Sequence, residues 1–254
     1  MKERPILFST EMVRAILDGR KTQTRRTRGL SFIEHIPFGT GLYKEPYQKE
    51  DGQWYYQVQT KVDDSQENLL KCPYGQIGDV LWVKETWRIV GWRDGEPFVI
   101  EYKDGKHKRD VYLNESRAED YNIECTDQCF AAGLKTDSDD NFIRPKEGYP
   151  TKWRPSIFMP KTACRIRLQI TNIRVERLQD ITEEGCKAEG AETDEYLDFR
   201  EWAESVAPAG STIQGLRDYF AQNIWDKINQ RGEFDPNRWE ANPWVWCISF
   251  KNGI

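Results

Sequence analysis

The first 28 residues constrain the fold most strongly, because they predict a strand, a helix and a second strand in close succession. Residues 5–8 suit a short buried strand, and either Ser9 or Thr10 suits the N-cap of the helix that follows. Gly19 stands where helices commonly end in a left-handed residue, so we expect the helix to stop just before it. Residues 21–28 alternate Thr with longer polar side chains, which favours a partly exposed strand.

Three later segments predict further strands. A glycine-led apolar strand is expected at 78–87, and a closing aromatic strand at 244–250. Between them, 163–178 predicts a long strand whose apolar alternation changes phase near Thr171 and Asn172. Such a phase change indicates a bulge or a bend, which a small barrel requires.

Helices are expected between the long strand and the closing strand. One opens at Asp180 with a spacing like that of a capping box and ends before Gly190, and a second covers 194–206. A third follows an apolar stripe of five residues: Ile213, Leu216, Phe220, Ile224 and Ile228. The order of elements predicts an α+β fold, a small mixed β-barrel with peripheral helices. We expect a single domain over 1–254 with insertions at about 31–71 and 88–155.

Composition excludes several classes of protein. The formal net charge of −5 argues against a non-specific nucleic-acid coat protein, although residues 1–28 hold eight basic against three acidic residues. This local basic patch suits a selective pocket. The sequence contains no run of about 18 apolar residues, so no membrane span is predicted. Residues 1–5 lack the apolar stretch of a secretory signal. Six scattered cysteines are expected to be reduced, in the cytoplasm.

The chain carries a pattern that is similar to a known family. Gly19-Arg-Lys-Thr-Gln-Thr-Arg-Arg26, followed by Gly78-Asp-Val-Leu-Trp-Val83, resembles the ASCH domain of the PUA-like superfamily. Residues 178–184 and 244–250 resemble the later strand-to-helix and closing-strand blocks, so that about half of the chain is covered. The whole chain is most similar to phage- and prophage-encoded ASCH proteins. The resemblance implies that RNA or a modified nucleoside binds in a cleft beside the barrel, with no cofactor.

The resemblance also implies a set of site residues. A bacterial branch that shares the first motif hydrolyses N4-acylated cytidine with a Lys, a Thr and a Glu. The match places these roles at Lys21, Thr24 and Glu189, although Glu183 and Glu184 lie near the last position. The cleft is expected to be lined by five further residues: Arg20, Arg26, Trp82, Glu85 and Trp87.

The chemistry sets a geometric condition on this site. A Thr hydroxyl is a weak nucleophile that needs a base, and Lys21 can serve only if burial or neighbouring cations lower its pKa. Glu189 could carry a proton to the leaving amine, and Arg26 could hold the oxyanion. In a regular strand, however, positions 21 and 24 point to opposite faces. Catalysis therefore requires Lys21 to lie in the turn after Gly19, or a bulge at 22–23.

Several alternatives remain open from the sequence. Lys21 and Thr24 could form a binding strand without chemistry, Glu85 could form a structural ion pair, and tryptophans in strands are more often core than stacking surfaces. A zinc site at Cys125 and Cys129 with Cys72 and His107 is disfavoured, and no metal is expected. The chain could instead be a ribonuclease, or a phage protein that acts on a host protein partner.

Overall fold

The computed structural model describes residues 1–30, 33, 43–61, 64–93, 96–105, 107–113, 115–143, 145–146, 148–208, 215–229 and 235–253. Its strands are β1 (Glu3–Leu7), β2 (Gln23–Arg26), β3 (Tyr43–Gln48), β4 (Trp54–Lys61), β5 (Asp64–Leu70), β6 (Val80–Lys84), β7 (Trp87–Gly91), β8 (Phe98–Tyr102), β9 (Lys108–Val111), β10 (Arg167–Arg177) and β11 (Trp244–Gly253). Its α-helices are α1 (Thr10–Leu17), α2 (Glu115–Ala131), α3 (Glu183–Ala188), α4 (Asp194–Val206), α5 (Leu216–Tyr219) and α6 (Lys227–Asn229). The predicted α+β class is confirmed.

The strands form three sheets. The largest has five strands in the order β1-β6-β10-β11-β2, and the others are the three-stranded sheets β3-β4-β5 and β7-β8-β9. None of the three closes into a barrel within the described ranges, so the PUA-like barrel remains a prediction. In the five-stranded sheet, β2 is an edge strand and pairs antiparallel with β11.

The chain divides into two compact units. The first unit comprises 1–4, 15–80 and 168–253, and the second comprises 5–14 and 81–167. The segment predicted as the first insertion supplies the sheet β3-β4-β5 to the first unit. The segment predicted as the second insertion supplies β8, β9 and α2 to the second unit. The single-domain arrangement with insertions stays a prediction.

The first motif folds locally as its residues dictate. Ser9 Oγ accepts a hydrogen bond from the backbone N–H of Met12 (3.3 Å), which caps α1 as expected. Gly19 has φ +75°, the left-handed conformation predicted for the residue after the helix. Two residues later the chain has not yet joined the sheet, because the N–H of Lys21 donates to the carbonyl of Ala15 (2.9 Å).

Two later elements of the first unit also follow the sequence. In β10 the buried residues change phase, from Leu168 and Ile170 to Ile173 and Val175, across the exposed pair at 171–172. Helix α3 begins after Thr182, whose hydroxyl accepts from the N–H of Gly185 (3.1 Å). The phase change is therefore confirmed, whereas the helix start predicted at Asp180 is two residues too early, because Leu178–Asp180 forms a separate 3-10 turn.

The helix that begins at Leu216 departs from a regular α-helix. It widens to a π-helix over Phe220–Asp226 before α6, and Phe220 and Ile224 of the expected stripe are buried. Ile228, at the end of the same stripe, is exposed, because the wider turns change the phase of the helix. Ile213 lies outside the described residues.

The second unit is built around an aromatic core. Trp87 of β7 and Ile100 and Tyr102 of β8 are fully buried, and α2 packs Tyr121 and Cys125 against the same cluster. Helix α2 was not expected from the sequence, which is polar over this segment. No helix in the described ranges is both long and apolar enough to cross a membrane.

Candidate functional site

A buried lysine–glutamate pair lies at the centre of the first motif. Lys21 Nζ donates to Glu189 Oε2 (2.6 Å) and to the Glu189 carbonyl oxygen (2.7 Å). Lys21 is 3% exposed and Glu189 is 4% exposed. Glu189 is the C-cap of α3, and Gly190 ends that helix with φ +80°. Two of the three residues that the family resemblance implied, Lys21 and Glu189, therefore contact each other.

Arg25 holds the other side of the same carboxylate. Its NH1 nitrogen lies 3.2 Å from Glu189 Oε1, and its NH2 nitrogen lies 2.7 Å from Glu176 Oε1. Glu176 lies on β10, so one guanidinium joins β2 to β10 and to the end of α3. Two cations and two carboxylates thus form one cluster, which we call the Lys21 cluster: Lys21, Arg25, Glu176 and Glu189.

The surroundings of Lys21 lower its pKa. Burial lowers the pKa of Lys21 below its usual range, and the nearby charges of Arg26 and Arg25 lower it further. The contact with Glu189 raises the pKa and so opposes these effects. Burial likewise lowers the pKa of Arg26. The pKa of Arg25 is raised: burial opposes the shift, and the carboxylates of Glu189 and Glu176 outweigh it. A lower pKa leaves a larger fraction of the amine unprotonated at a given pH, and only the unprotonated amine can act as a base.

The turn placement of Lys21 meets the geometric condition set by the sequence. Strand β2 begins only at Gln23, and the N–H of Thr22 donates to the carbonyl of Ala188 (2.8 Å) rather than continuing the strand ladder. Lys21 and Thr22 are thereby tied to the ends of two helices. The alternation rule that sets positions 21 and 24 on opposite faces applies only within a strand.

Thr24 is buried within β2. It pairs with Ile248 of β11, so its side chain projects from the face opposite to that of Arg25, which pairs with Cys247. Arg26 shares the face of Thr24. The carboxylate of Glu189 contacts both Lys21 and Arg25. A contact between the Thr24 hydroxyl and Lys21 stays a prediction.

Arg20 lies at the surface of the first unit. Its guanidinium pairs with Asp18 (3.1 Å) and donates to the carbonyl oxygen of Glu192 (3.0 Å). Both of these partners are part of the protein surface beside α1 and α3. Arg20 therefore braces the two helix ends, and its role in ligand binding stays a prediction.

Three other predicted cleft residues belong to the second unit. Glu85 forms a buried ion pair with Arg165 (2.6 Å), which also bridges to Asp104 (2.8 Å). Trp87 is fully buried in the core, whereas Trp82 is half-buried, with the Lys84 ammonium 5.5 Å from its ring centroid. For Glu85 and Trp87 these positions match the structural alternatives that the sequence left open.

The cysteines are free thiols. Cys125 and Cys129 lie one turn apart on α2 and are buried, and burial raises the pKa of Cys125 to about 12. His35 lies outside the described residues, whereas His107 pairs with Asp104 (2.6 Å). No group of three or more His, Cys, Asp or Glu in the described ranges is placed to hold a metal ion.

Sequence reasoning missed Glu176 and the central position of Arg25. Arg25 was not among the predicted site residues, and Glu176 lies 151 residues away from it in the sequence. The sequence offered no signal for Glu176, because it lies in the phase of β10 opposite to the buried Ile173 and Val175.

Comparison with known proteins gives no relative of this chain: no family model, curated protein or solved structure matches it. The Lys21 cluster and its surroundings therefore carry the functional argument.

Proposed function

We propose that this protein is an ASCH-type member of the PUA-like superfamily that binds N4-acylated cytidine, free or within RNA, and hydrolyses its acyl group. One observation carries the proposal: Lys21 lies in the turn before β2, buried against Glu189 with a lowered pKa. Perturbed titratable groups of this kind concentrate at functional sites. The motif resemblance supplies the substrate class.

The first step of the proposed reaction uses Lys21 as the base. The amine takes the proton of the Thr24 hydroxyl while the oxygen bonds to the acyl carbon, and the carbonyl electron pair moves to its oxygen. Arg26, on the same face of β2 as Thr24, stabilises that oxyanion. Glu189 lies 2.6 Å from the lysine nitrogen and passes the proton from it to N4. The C–N4 bond then breaks and releases cytidine.

The second step returns the enzyme to its starting state. Water attacks the acyl-threonine ester, Lys21 accepts the proton of the water, and the ester bond to Thr24 breaks. A carboxylic acid leaves, and the threonine oxygen regains a proton. The net reaction consumes one water molecule for each acyl group removed.

The test incubates the protein with N4-acetylcytidine and with analogues that carry longer acyl groups, and measures the released cytidine by chromatography. Thr24→Val and Lys21→Met should each lower kcat/KM by at least about 100-fold, since they remove the nucleophile and the base. Thr22→Val is the matched control, because Thr22 is an exposed threonine of the same motif. Activity should rise with pH through the lowered pKa of Lys21.

Two outcomes would refute the hydrolase. One is the absence of cytidine with every acyl group, and the other is equal activity of the Thr24→Val and Thr22→Val variants.

Binding without turnover is the second candidate, and one observation favours it. Lys21 Nζ already donates to two oxygens of Glu189 at 2.7 Å or less, an arrangement that also suits a fixed structural cation. Titration calorimetry with N4-acetylcytidine and with a short RNA that contains it separates the two candidates. Saturable binding with no cytidine released would identify a binding protein.

A further inference from the structure

A cavity in the first unit lies apart from the residues of the proposed reaction. It encloses about 570 Å³, a volume typical of small-molecule sites. Its apolar wall includes Trp54, Ile173 and Trp246, and its polar wall includes Arg4 and Lys71. Neither Lys21, Thr24 nor Glu189 lines it.

Two buried donors at this wall make no hydrogen bond within the described part of the chain. Trp246 is 1% exposed and its indole nitrogen has no acceptor, and Nε of Arg4 is also buried without one. Buried polar groups in folded proteins nearly always have a partner, so each such donor calls for an explanation. Two of them on one cavity indicate a site that takes up acceptor groups.

The carboxylates of the same cavity are already engaged. Asp79 accepts from the backbone N–H groups of Lys2 (2.7 Å) and Gln76 (3.2 Å), and these bonds lower its pKa. Asp51 accepts from the N–H of Gln53 (2.8 Å) and from the hydroxyl of Tyr55 (3.0 Å). These carboxylates are therefore occupied by donors of the protein, whereas Trp246 Nε1 and Arg4 Nε have no acceptor within the described residues.

We propose that this cavity binds a planar anionic ligand: a flat ring system with hydrogen-bond acceptors and an attached phosphate or carboxylate. The ring packs against Trp54 and Ile173, and the anion lies near Arg4 and Lys71. After a small shift of the cavity wall, an acceptor atom of the ring accepts hydrogen bonds from Trp246 and Arg4. A nucleoside monophosphate and an aromatic carboxylate share this chemistry.

Titration calorimetry with four probes distinguishes these sources. Adenosine 5′-monophosphate and quinoline-4-carboxylate carry a ring with an acceptor together with the anion, whereas adenosine and inorganic phosphate each carry one half of the nucleotide. At least one of the complete probes should bind at least about 10-fold more tightly than either half, since both parts contribute. The complete probe that binds more tightly identifies the source of the anion.

Three substitutions test the contacts. Arg4→Gln should weaken the tighter probe by about 10- to 100-fold and Trp246→Phe by about 3- to 10-fold, as expected for a charged and a neutral hydrogen bond. Lys71→Glu changes only the exposed rim and should also weaken binding, so the test does not depend on a core substitution. Trp244→Phe is the matched control, because it makes the same change in β11 away from the cavity lining.

Cys72 provides an independent readout, because it lines the cavity and is half-buried. The bound probe should slow its alkylation in the full chain. The proposal fails if neither complete probe binds more tightly than adenosine and inorganic phosphate. It also fails if Arg4→Gln and Lys71→Glu leave both the binding of the tighter probe and the protection of Cys72 unchanged. Either result would leave the cavity as a solvent-filled groove.

Discussion

Replacing Glu189 by Gln should destabilise the protein and make its stability depend more strongly on pH. The substitution keeps the shape of the side chain and the bond from Lys21 to the carbonyl oxygen, but it removes the charge that faces Lys21 at 2.6 Å and Arg25 at 3.2 Å. Removing one partner of a buried ion pair costs about 3–5 kcal/mol. Because one bond to Lys21 survives, we expect a loss near the lower end, about 3 kcal/mol.

The sign of the pH effect follows from the pKa of Lys21. Burial already lowers that pKa in the folded protein, and the carboxylate of Glu189 is the main influence that opposes the decrease. In Glu189→Gln the pKa of Lys21 in the folded protein falls further below its value in the unfolded chain, which is about 10.4. At any pH between these two pKa values, the unfolded chain therefore binds more protons than the folded protein. The free energy of unfolding should therefore rise with pH across that window.

A double-mutant cycle measures the pair itself. Urea unfolding followed by circular dichroism gives the free energies for wild type, Glu189→Gln, Lys21→Met and the double variant, with the slope m checked for constancy. The double variant should lose less than the sum of the single losses, by about 1.5–3 kcal/mol, because both charges are then gone. Glu204→Gln, at the exposed pair with Arg200, is the control and should have little effect.

Additive losses within about 0.5 kcal/mol would show that Lys21 and Glu189 do not depend on each other. A Glu189→Gln variant whose stability falls with rising pH would refute the inferred decrease in the pKa of Lys21.

Two further predictions concern the same unit. Gly190→Ala should destabilise the protein by about 1–3 kcal/mol more than Gly19→Ala in thermal unfolding. Both glycines have positive φ, but a Cβ at Gly190 would lie 2.9 Å from Cβ of Ala15 and 3.2 Å from Cβ of Lys21, whereas a Cβ at Gly19 would meet open space. Equal losses of stability in the two variants would contradict this. Burial raises the pKa of Cys72 to about 11, so its alkylation rate, measured by mass spectrometry, should still rise about tenfold per pH unit between 8 and 10. A plateau near pH 9 would contradict the raised pKa.

Local signals in the sequence predicted the frame of the Lys21 cluster. The hydroxyl of Ser9 and the left-handed Gly19 each act within one helical turn, so residue type alone was sufficient. The strand after Gly19 was predicted to begin too early. Lys21 and Thr22 bond to the carbonyls of Ala15 and Ala188, and such tertiary contacts override strand propensity.

Predictions were weaker where the burial of a residue depends on partners that are distant in the sequence. Helix α2 has a mostly polar sequence, and its apolar stripe of Tyr121, Cys125 and Cys129 is short enough to be read as scattered cysteines. The role of Glu176 could not be predicted, because an acid in a strand is expected at the surface unless its cation is known. Both features became visible only when distant segments were brought together.

Lys21 and Glu189 are separated by 168 positions along the chain. During synthesis the lysine emerges long before the residue that neutralises it, and until then it must remain hydrated. Contacts between such distant segments are entropically costly to form and tend to form late in folding. The ion pair can therefore close only after α3 has been made, so that any chain truncated before α3 lacks the pair, however well its first motif folds.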